Sequence, residues 1–253
     1  MWSKAKQKFV RSLANKKYRE KENAFLAEGP KVVEELLGHF ACRFVAGTDK
    51  FWASAVVPPH IERFTLTPSE LEQASLLRSP QEVLAVFDLP QPADAIAVSP
   101  DRLVLALDGV QDPGNVGTIL RIADWFGIED VCCSPDTADA FSPKVVQATM
   151  GALARVRVHY VELPEFLREQ SAAVPIYGTF LDGENLYNAA LSEGGIVVMG
   201  NEGNGISSAV AQAVTQHLRI PSYPEGRPTS ESLNVATATA VFCAEFRRRL
   251  VMR

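Results

Sequence analysis

The sequence predicts an α/β protein built on an open, mostly parallel β-sheet. Two observations in the C-terminal half support this fold class. Short apolar runs such as Leu103–Leu107 alternate with segments of helical spacing such as Val116–Phe126. An unbroken apolar run is typical of a strand buried on both faces, and strands that alternate with helices form parallel sheets. Such sheets bind ligands beyond the carboxyl ends of their strands, so the strand-end loops are the candidate functional sites.

The other elements of this half continue the alternation. We predict strands at Asp130–Cys133, Val156–Val161, Ile176–Phe180 and Ile196–Met199, and helices at Pro143–Leu153, Ser207–Val214 and Ser232–Leu250. A smaller α/β module comes first, with helices predicted at Ser3–Ala14 and Glu28–Leu37 and strands at Cys42–Ala46 and Val83–Phe87. The Pro- and Ala-rich stretch Leu89–Pro100 is the candidate linker, which gives predicted domains at residues 1–95 and 100–253.

The charge distribution is uneven. The 253 residues carry a net charge of −5, which argues against a protein that coats nucleic acid along its whole surface. Basic residues cluster near the N-terminus, at Lys4, Lys6, Lys8, Arg11, Lys16, Lys17, Arg19 and Lys21, and again at Arg247–Arg249 and Arg253. Such a patch either binds one polyanion or is a solvated helix face, and charge alone leaves both interpretations open.

Several functional classes are disfavoured. The four cysteines, Cys42, Cys132, Cys133 and Cys243, include no CxxC pair, and the four histidines have no metal-ligand spacing, so no metal site is predicted. We find no apolar stretch of transmembrane length and no apolar segment behind the basic N-terminus that would make a secretory signal. We therefore expect a cytoplasmic protein without a membrane partner.

Two glycine-containing loops lead from predicted strands into predicted helices. The first, DGVQDPGNVG after Leu107, offers helix N–H groups to an anion, with Arg121 placed to reach a phosphate. An ordinary strand-to-helix turn is the alternative for this loop. The second, GNEGNG after Met199, spaces its glycines as G-x-x-G-x-G and has no Walker lysine, which disfavours dinucleotide and nucleotide-triphosphate binding. Its three glycines suit a loop wrapped around a ligand.

A third loop runs from Ile220-Pro221 to the start of the last predicted helix. Ser232 or a neighbour is expected to cap that helix. Asn234 is predicted just inside it, where an Asn is unfavourable without a partner, so Asn234 is a candidate site residue.

Together the three loops resemble the motifs of the SpoU (TrmH-type) RNA methyltransferases of the SPOUT superfamily, over roughly Arg102–Arg249. The resemblance is carried by Asn115, Gly117 and Arg121 in NVGTILR, by Gly200, Asn201, Glu202, Gly203 and Gly205 in GNEGNG, and by Ser232, Leu233 and Asn234 in SLNVA. It implies a C-terminal trefoil knot and an RNA 2′-O-ribose methyltransferase that uses S-adenosylmethionine. It also implies a homodimer whose site is completed across the interface.

The resemblance implies roles for single residues. Cofactor contacts fall at Thr179, Gly200, Asn201, Gly203, Ile220 and Leu233, and catalytic roles at Asn115, Arg121, Glu202, Ser232 and Asn234. The family assigns Arg121 to activate the ribose hydroxyl, but an Arg side chain stays charged. We therefore interpret Arg121 as a phosphate ligand that stabilises developing oxyanion charge, with a base role as the alternative. The span Ser222–Ser230 is longer than is usual in the family.

The N-terminal module resembles the ribosomal-protein-like domain that many family members use to bind structured RNA. The pattern Ala27–Glu35 matches the opening strand and helix of that domain. Members with this extension mostly act on large-subunit ribosomal RNA, which is the substrate we predict. The alternatives are a transfer RNA methyltransferase and a catalytically silent RNA-binding protein with the same fold.

Overall fold

The computed structural model describes residues 1–91, 96–224, 227–228 and 230–251. The chain forms two compact units: Met1–Gln91 with Asp139–Ala154, and Pro92–Ala138 with Arg155–Arg253. These units differ from the predicted domains in the segment Asp139–Ala154, which packs with the first unit. The predicted linker overlaps residues 92–95, which lie outside the described residues.

The first unit contains a four-stranded sheet in the order β1-β4-β2-β3. Its elements are α1 (Lys4–Ser12), α2 (Lys16–Glu22), β1 (Ala24–Glu28), α3 (Pro30–Leu36), β2 (Cys42–Gly47), α4 (Asp49–Trp52), β3 (Glu62–Thr65), α5 (Pro68–Ala74) and β4 (Val83–Asp88). Strand β4 is antiparallel to β1 and β2, while β2 and β3 are parallel. The predicted helix at Glu28–Leu37 is shorter than expected because Glu28 still belongs to β1 and the helix starts at Pro30.

Two of the four cations of α1 that were predicted to bind RNA, Lys6 and Arg11, instead bind other residues of the first unit. The Lys6 ammonium forms an ion pair with Glu62 at 3.1 Å and lies over the Phe64 ring at 4.4 Å from the centroid. The Arg11 guanidinium donates to the carbonyls of Gln73 and Ser75, at 3.0 and 3.3 Å. These two side chains therefore stabilise the fold, which their charge alone does not reveal.

The segment Asp139–Ala154 is held in the first unit by a buried ion pair. The Arg19 side chain is only 4% exposed; it pairs with Asp139 and donates to the carbonyl of Leu13 at 2.7 Å. The segment contains α7 (Pro143–Thr149) and a 3₁₀ helix (Ala152–Ala154). The helix predicted to Leu153 stops at Thr149 because Met150 and Gly151 have φ of +53° and +96°, which an α-helix excludes.

The second unit contains a six-stranded sheet in the order β10-β8-β9-β5-β6-β7, and every neighbouring pair is parallel. Its strands are β5 (Leu103–Leu107), β6 (Asp130–Cys133), β7 (Arg157–Tyr160), β8 (Ile176–Asn185), β9 (Gly195–Met199) and β10 (Gln216–Arg219). Its helices are α6 (Pro113–Trp125), α8 (Leu163–Arg168), α9 (Ser208–Ala211) and α10 (Val235–Val251). The prediction of an open, mostly parallel sheet is confirmed. The trefoil knot stays a prediction.

Buried charge is neutralised at the amino end of this sheet. Asp130, at the start of β6, is 2% exposed and accepts from Arg102, Arg157 and His159 at 2.6–2.8 Å. Burial raises the pKa of Asp130, but the hydrogen bonds from Arg157 and His159 outweigh it and hold that pKa below the usual value. His159 therefore has a structural partner.

Helices α6 and α10 lie side by side and run in the same direction. Asn234 before α10 contacts Asn115 in the first turn of α6, while Arg247 near the end of α10 donates to the carbonyls of Phe126 and Gly127, just past α6, at 2.7 and 3.1 Å. Carbonyls at a helix end lack intrahelical donors, so a cation there is favourable. None of the described helices is both long and apolar enough to span a bilayer.

We predict that Arg19→Met lowers the free energy of unfolding by about 3 kcal/mol, because it leaves Asp139 without its cation. Urea denaturation of the full chain would measure this. Lys17→Met, an exposed position on the same helix, is the matched control. Equal stability of the two variants would contradict a stabilising role for the Arg19–Asp139 pair.

Candidate active site

The three motif loops meet at one edge of the second unit's sheet. Strands β5 and β9 are hydrogen-bonded neighbours that end at Leu107 and Met199, and the first and second loops follow them directly. The third loop follows β10 and leads into α10. Because the strands are parallel, all these loops leave from their carboxyl ends, the usual ligand-binding edge.

Three predicted catalytic residues are joined by hydrogen bonds. The Asn115 Nδ2 donates to Glu202 Oε1 at 2.8 Å, and the Asn234 Nδ2 donates to Asn115 Oδ1 at 3.0 Å. The Asn234 Oδ1 in turn accepts from the backbone N–H groups of Ala236 and Thr237, at 3.0 and 3.2 Å. Each amide therefore has one possible orientation, and we call Glu202, Asn115 and Asn234 the amide chain.

The start of α10 differs from the prediction. The helix begins at Val235, not at Ser232, so Asn234 is its N-cap and does not lie inside it. Capping provides the partner that an Asn inside a helix would have lacked. Ser232 and Leu233 precede the cap and are exposed, Leu233 at 49%.

The first two loops are fastened to each other by the side chain of Asn201. Its Nδ2 donates to the Gly109 carbonyl at 2.6 Å, and its Oδ1 accepts from the N–H groups of Gly203 and Asn204, at 2.9 and 3.0 Å. All the hydrogen-bonding groups of this amide except one N–H are therefore used within the protein. The backbone N–H and carbonyl of Asn201 pair with Gly205, so within the described residues the second side-chain N–H is the donor left for a ligand.

The sequence analysis did not identify two residues that hold these loops in place, Asp108 and Ser134. The Asp108 carboxylate, 8% exposed, accepts from the Ser207 N–H at 2.6 Å, and so links the residue after β5 to the start of α9. The Ser134 hydroxyl accepts from the Gly109 N–H at 2.8 Å. The position of Asp108 directly after a buried strand could have indicated a role at the site. The sequence could not show its partner, because Ser207 lies far along the chain.

Gly200 is required by the shape of the second loop. A Cβ at this position would lie 2.3 Å from the carbonyl carbon of Gly205, because the backbones of Asn201 and Gly205 pair with each other in both directions. No side chain fits at Gly200, so the loop turns back directly beyond β9.

Arg121 is not part of the amide chain. It lies on α6, six residues after Asn115, and is exposed. Within the described residues its guanidinium has no hydrogen bond or ion pair. The charge of Arg121 is therefore available to an anion from outside the chain.

The remaining predicted cofactor residues lie in β8, directly after β10 and just before α10. The Thr179 hydroxyl, in β8, donates to the Val198 carbonyl of β9 at 3.0 Å. Ile220 directly follows β10 and is half-buried, and Leu233 is exposed. The edge therefore offers glycine backbone and apolar side chains. Among the described residues, no three His, Cys, Asp or Glu side chains are arranged to hold a metal.

Comparison with family models identifies both parts of the chain. Residues 102–244 match the SpoU rRNA Methylase family, and residues 4–85 match the MRM3-like substrate binding domain. The chain belongs to the SpoU rRNA methylase family, and the predicted class, an RNA methyltransferase, is confirmed.

Individual relatives agree over nearly the whole chain. The 23S rRNA (guanosine(2553)-2′-O)-methyltransferase RlmP of Bacillus subtilis is 33% identical over 245 residues, 96% of each chain. A TrmH-family protein of Porphyromonas gingivalis, described as a putative RNA methyltransferase, has a TM-score of 0.89 and 46% identity, with 98% of this chain and 99% of that chain covered. An AdoMet-bound rRNA methyltransferase from Sinorhizobium meliloti has a TM-score of 0.85 and 30% identity, covering 99% and 97%.

We predict that Asn201→Ala lowers the free energy of unfolding by about 2 kcal/mol, since three hydrogen bonds are lost at roughly 1 kcal/mol each with some compensation by water. Chemical denaturation would measure the loss. Asn204→Ala is the control, because Asn204 binds Asn201 through its backbone N–H and the substitution leaves that group in place. A loss of similar size in both variants would show that the Asn201 side chain does not fasten the loops.

Proposed function

We propose that this protein transfers a methyl group from S-adenosylmethionine to a ribose 2′-oxygen of large-subunit ribosomal RNA. The observation that carries the proposal is the amide chain at the strand-end edge, with Arg121, which has no partner among the described residues, on the same helix as Asn115. The 96% coverage of a relative named as a 23S rRNA 2′-O-methyltransferase supports the substrate and the atom modified. A ribosomal substrate also supports a cytoplasmic location.

The strand-end residues fit S-adenosylmethionine. When bound, this cofactor supplies an electrophilic methyl group on a sulfonium. The residues that would hold it are Thr179, Gly200, Asn201, Gly203, Ile220 and Leu233. Glycines permit close backbone contact, and the exposed Leu233 would bury apolar surface against an adenine ring. The AdoMet-bound relative from Sinorhizobium meliloti supports this choice of cofactor.

The protein's own residues position the ribose and stabilise charge. Methyl transfer needs the 2′-oxygen held in line at about 3 Å from the methyl carbon. Arg121 binds the phosphate next to that ribose and stabilises the negative charge that develops as the hydroxyl releases its proton to water. Glu202, fixed by Asn115 and Asn234, orients the nucleotide by accepting hydrogen bonds, and the exposed Ser232 offers a further polar contact.

The first unit binds the RNA outside the reacting nucleotide. Its match to a substrate-binding domain model supports this role. With Lys6 and Arg11 engaged in the fold, the cations of α1 left for phosphate are Lys4 and Lys8, which are exposed and have no ion pair within the described residues. Contacts of this kind weaken steeply with salt.

The active protein is a homodimer. Thr118, Arg121 and Trp125 lie on one exposed face of α6, and Trp125 is 85% exposed. Tryptophan is enriched at protein interfaces, which supports this face of α6 as the contact surface. A second copy that covers Trp125 would stand beside Arg121, consistent with a site completed by two chains.

We predict that Arg121→Ala abolishes methyl transfer to ribosomal RNA and leaves S-adenosylmethionine affinity within twofold, because within the described residues no hydrogen bond or ion pair joins Arg121 to the cofactor loops. Labelled-methyl transfer to ribosomal RNA and calorimetry would measure the two properties. Arg168→Ala, a surface change on α8, should behave as the native protein. A native protein that is folded and binds no S-adenosylmethionine would overturn the proposed function; retained transfer by Arg121→Ala would overturn only the role of Arg121.

We predict that Trp125→Glu converts the dimer to a monomer and reduces methyl transfer at least tenfold, since it places a charge in an apolar interface. Sedimentation equilibrium would measure the oligomeric state. Val56→Glu, at a 90% exposed position of the first unit, is the matched control and should stay dimeric. A native protein that sediments as a monomer would refute the dimer proposal.

A further inference from the structure

Strand β8 leaves the sheet in its middle. Its residues Ile176–Gly178 pair with β9, and β10 pairs first with Tyr177 and Gly178 and then with Glu184 and Asn185. The register therefore jumps between His217, opposite Gly178, and Leu218, opposite Glu184. Residues 179–183 have no strand partner in the described structure, and we call them the excursion.

The ring of Phe180 is the anchor of the excursion. It stacks on the ring of His217, with centroids 3.9 Å apart and planes inclined by 19°. Gly178 provides the space beneath it: a Cβ there would lie 2.4 Å from the Phe180 ring and 2.9 Å from a methyl group of Val214. The ring of Phe180 thus packs among Gly178, Val214 and His217.

Two further contacts fix the two ends of the excursion. At its start, the Thr179 hydroxyl donates to the carbonyl of Val198, two residues before Gly200. At its return, Gly183 lies against the backbone of β10, where a Cβ would be 2.6 Å from the Leu218 nitrogen. Between these ends Leu181 is 73% exposed, so Phe180 supplies the apolar contact that holds the middle.

We infer that His217 is a positioning residue for S-adenosylmethionine, acting through Phe180 on the excursion that carries Thr179. The inference rests on the proposed function, in which Thr179 contacts the cofactor. His217 lies on the edge strand β10 and is exposed, and within the described residues no hydrogen bond or ion pair joins it to the amide chain or the second loop. Its effect passes by ring contact to the neighbour of Thr179.

The stack acts by reducing the conformational freedom of the excursion before the cofactor binds. A segment of five residues that, in the described structure, has no paired strand residues must otherwise be ordered at the moment of binding, which lowers affinity. A planar ring at position 217 is sufficient for this effect, since stacking and not hydrogen bonding or charge makes the contact.

The experiment compares His217→Ala with His217→Phe in the full chain. We expect His217→Ala to raise the calorimetric Kd for S-adenosylmethionine at least fivefold, and His217→Phe to restore it to within twofold of the native value. Methyl transfer at saturating cofactor should change less than twofold in both, which separates positioning from chemistry. His60→Ala, a change at another exposed histidine in the first unit, is the matched control.

The outcomes separate the two proposals. A native protein that binds no S-adenosylmethionine refutes the proposed function. If the native protein binds S-adenosylmethionine, and His217→Ala has the same Tm and an unchanged Kd, the positioning role of His217 is refuted. Equal losses in His217→Ala and His217→Phe also overturn it, because a ring would then not suffice. Should His217→Ala not fold, His217→Gln takes its place, with the same expected loss and the same absence of rescue.

Discussion

The side-chain amide of Asn115 is the constraint on which the geometry of the site depends. It donates to Glu202 and accepts from Asn234, and so joins α6, the second loop and the start of α10 through one planar group. An aspartate could not donate to Glu202, and an apolar residue could do neither. Because Asn234 also caps α10, the orientation of Asn115 is tied to where that helix begins. A shift of α10 along its axis would break the amide chain.

The parallel arrangement of α6 and α10 opposes such a shift. Arg247 holds the carbonyls that follow α6, at the end remote from Asn115, so the two helices are joined at both ends. Glu245 reinforces α10 from within: its hydrogen bond with Arg248, followed by that with Arg249, lowers its pKa to about 2. Arg249 also donates to the carbonyls of Leu186 and Ala189. The arginines near the end of α10 thus act on protein carbonyls and a carboxylate.

The sequence was informative where burial alone decides structure. Strands β5 and β6 begin and end where predicted, because both faces of a central parallel strand are covered and the apolar run has sharp limits. The prediction failed where a long-range contact or an unusual backbone conformation decides the structure. The length of β8 depends on a second pairing with β10 after the excursion, and the end of α7 depends on a left-handed Met150. Likewise, the motifs named Asn115, Glu202 and Asn234, but only the fold shows that Asn201 and Asp108 fasten the loops.

Most polar side chains at this edge are hydrogen-bonded within the protein, whereas Arg121 has no such bond among the described residues, and this difference explains how the edge can recognise RNA. Asn201, Asp108 and Asn234 bond their side-chain polar groups to backbone groups of the protein, which fixes the loop conformations before a ligand arrives. Arg121 differs from Arg247 in having no acceptor within the described residues. An internal carboxylate beside Arg121 would compete with phosphate for the same donors and would add a repulsive charge. Because Arg121 has no partner within the described residues, its guanidinium is available for the phosphate contact that we propose, and the hydrogen bonds of Asn115 fix the start of the helix that carries it.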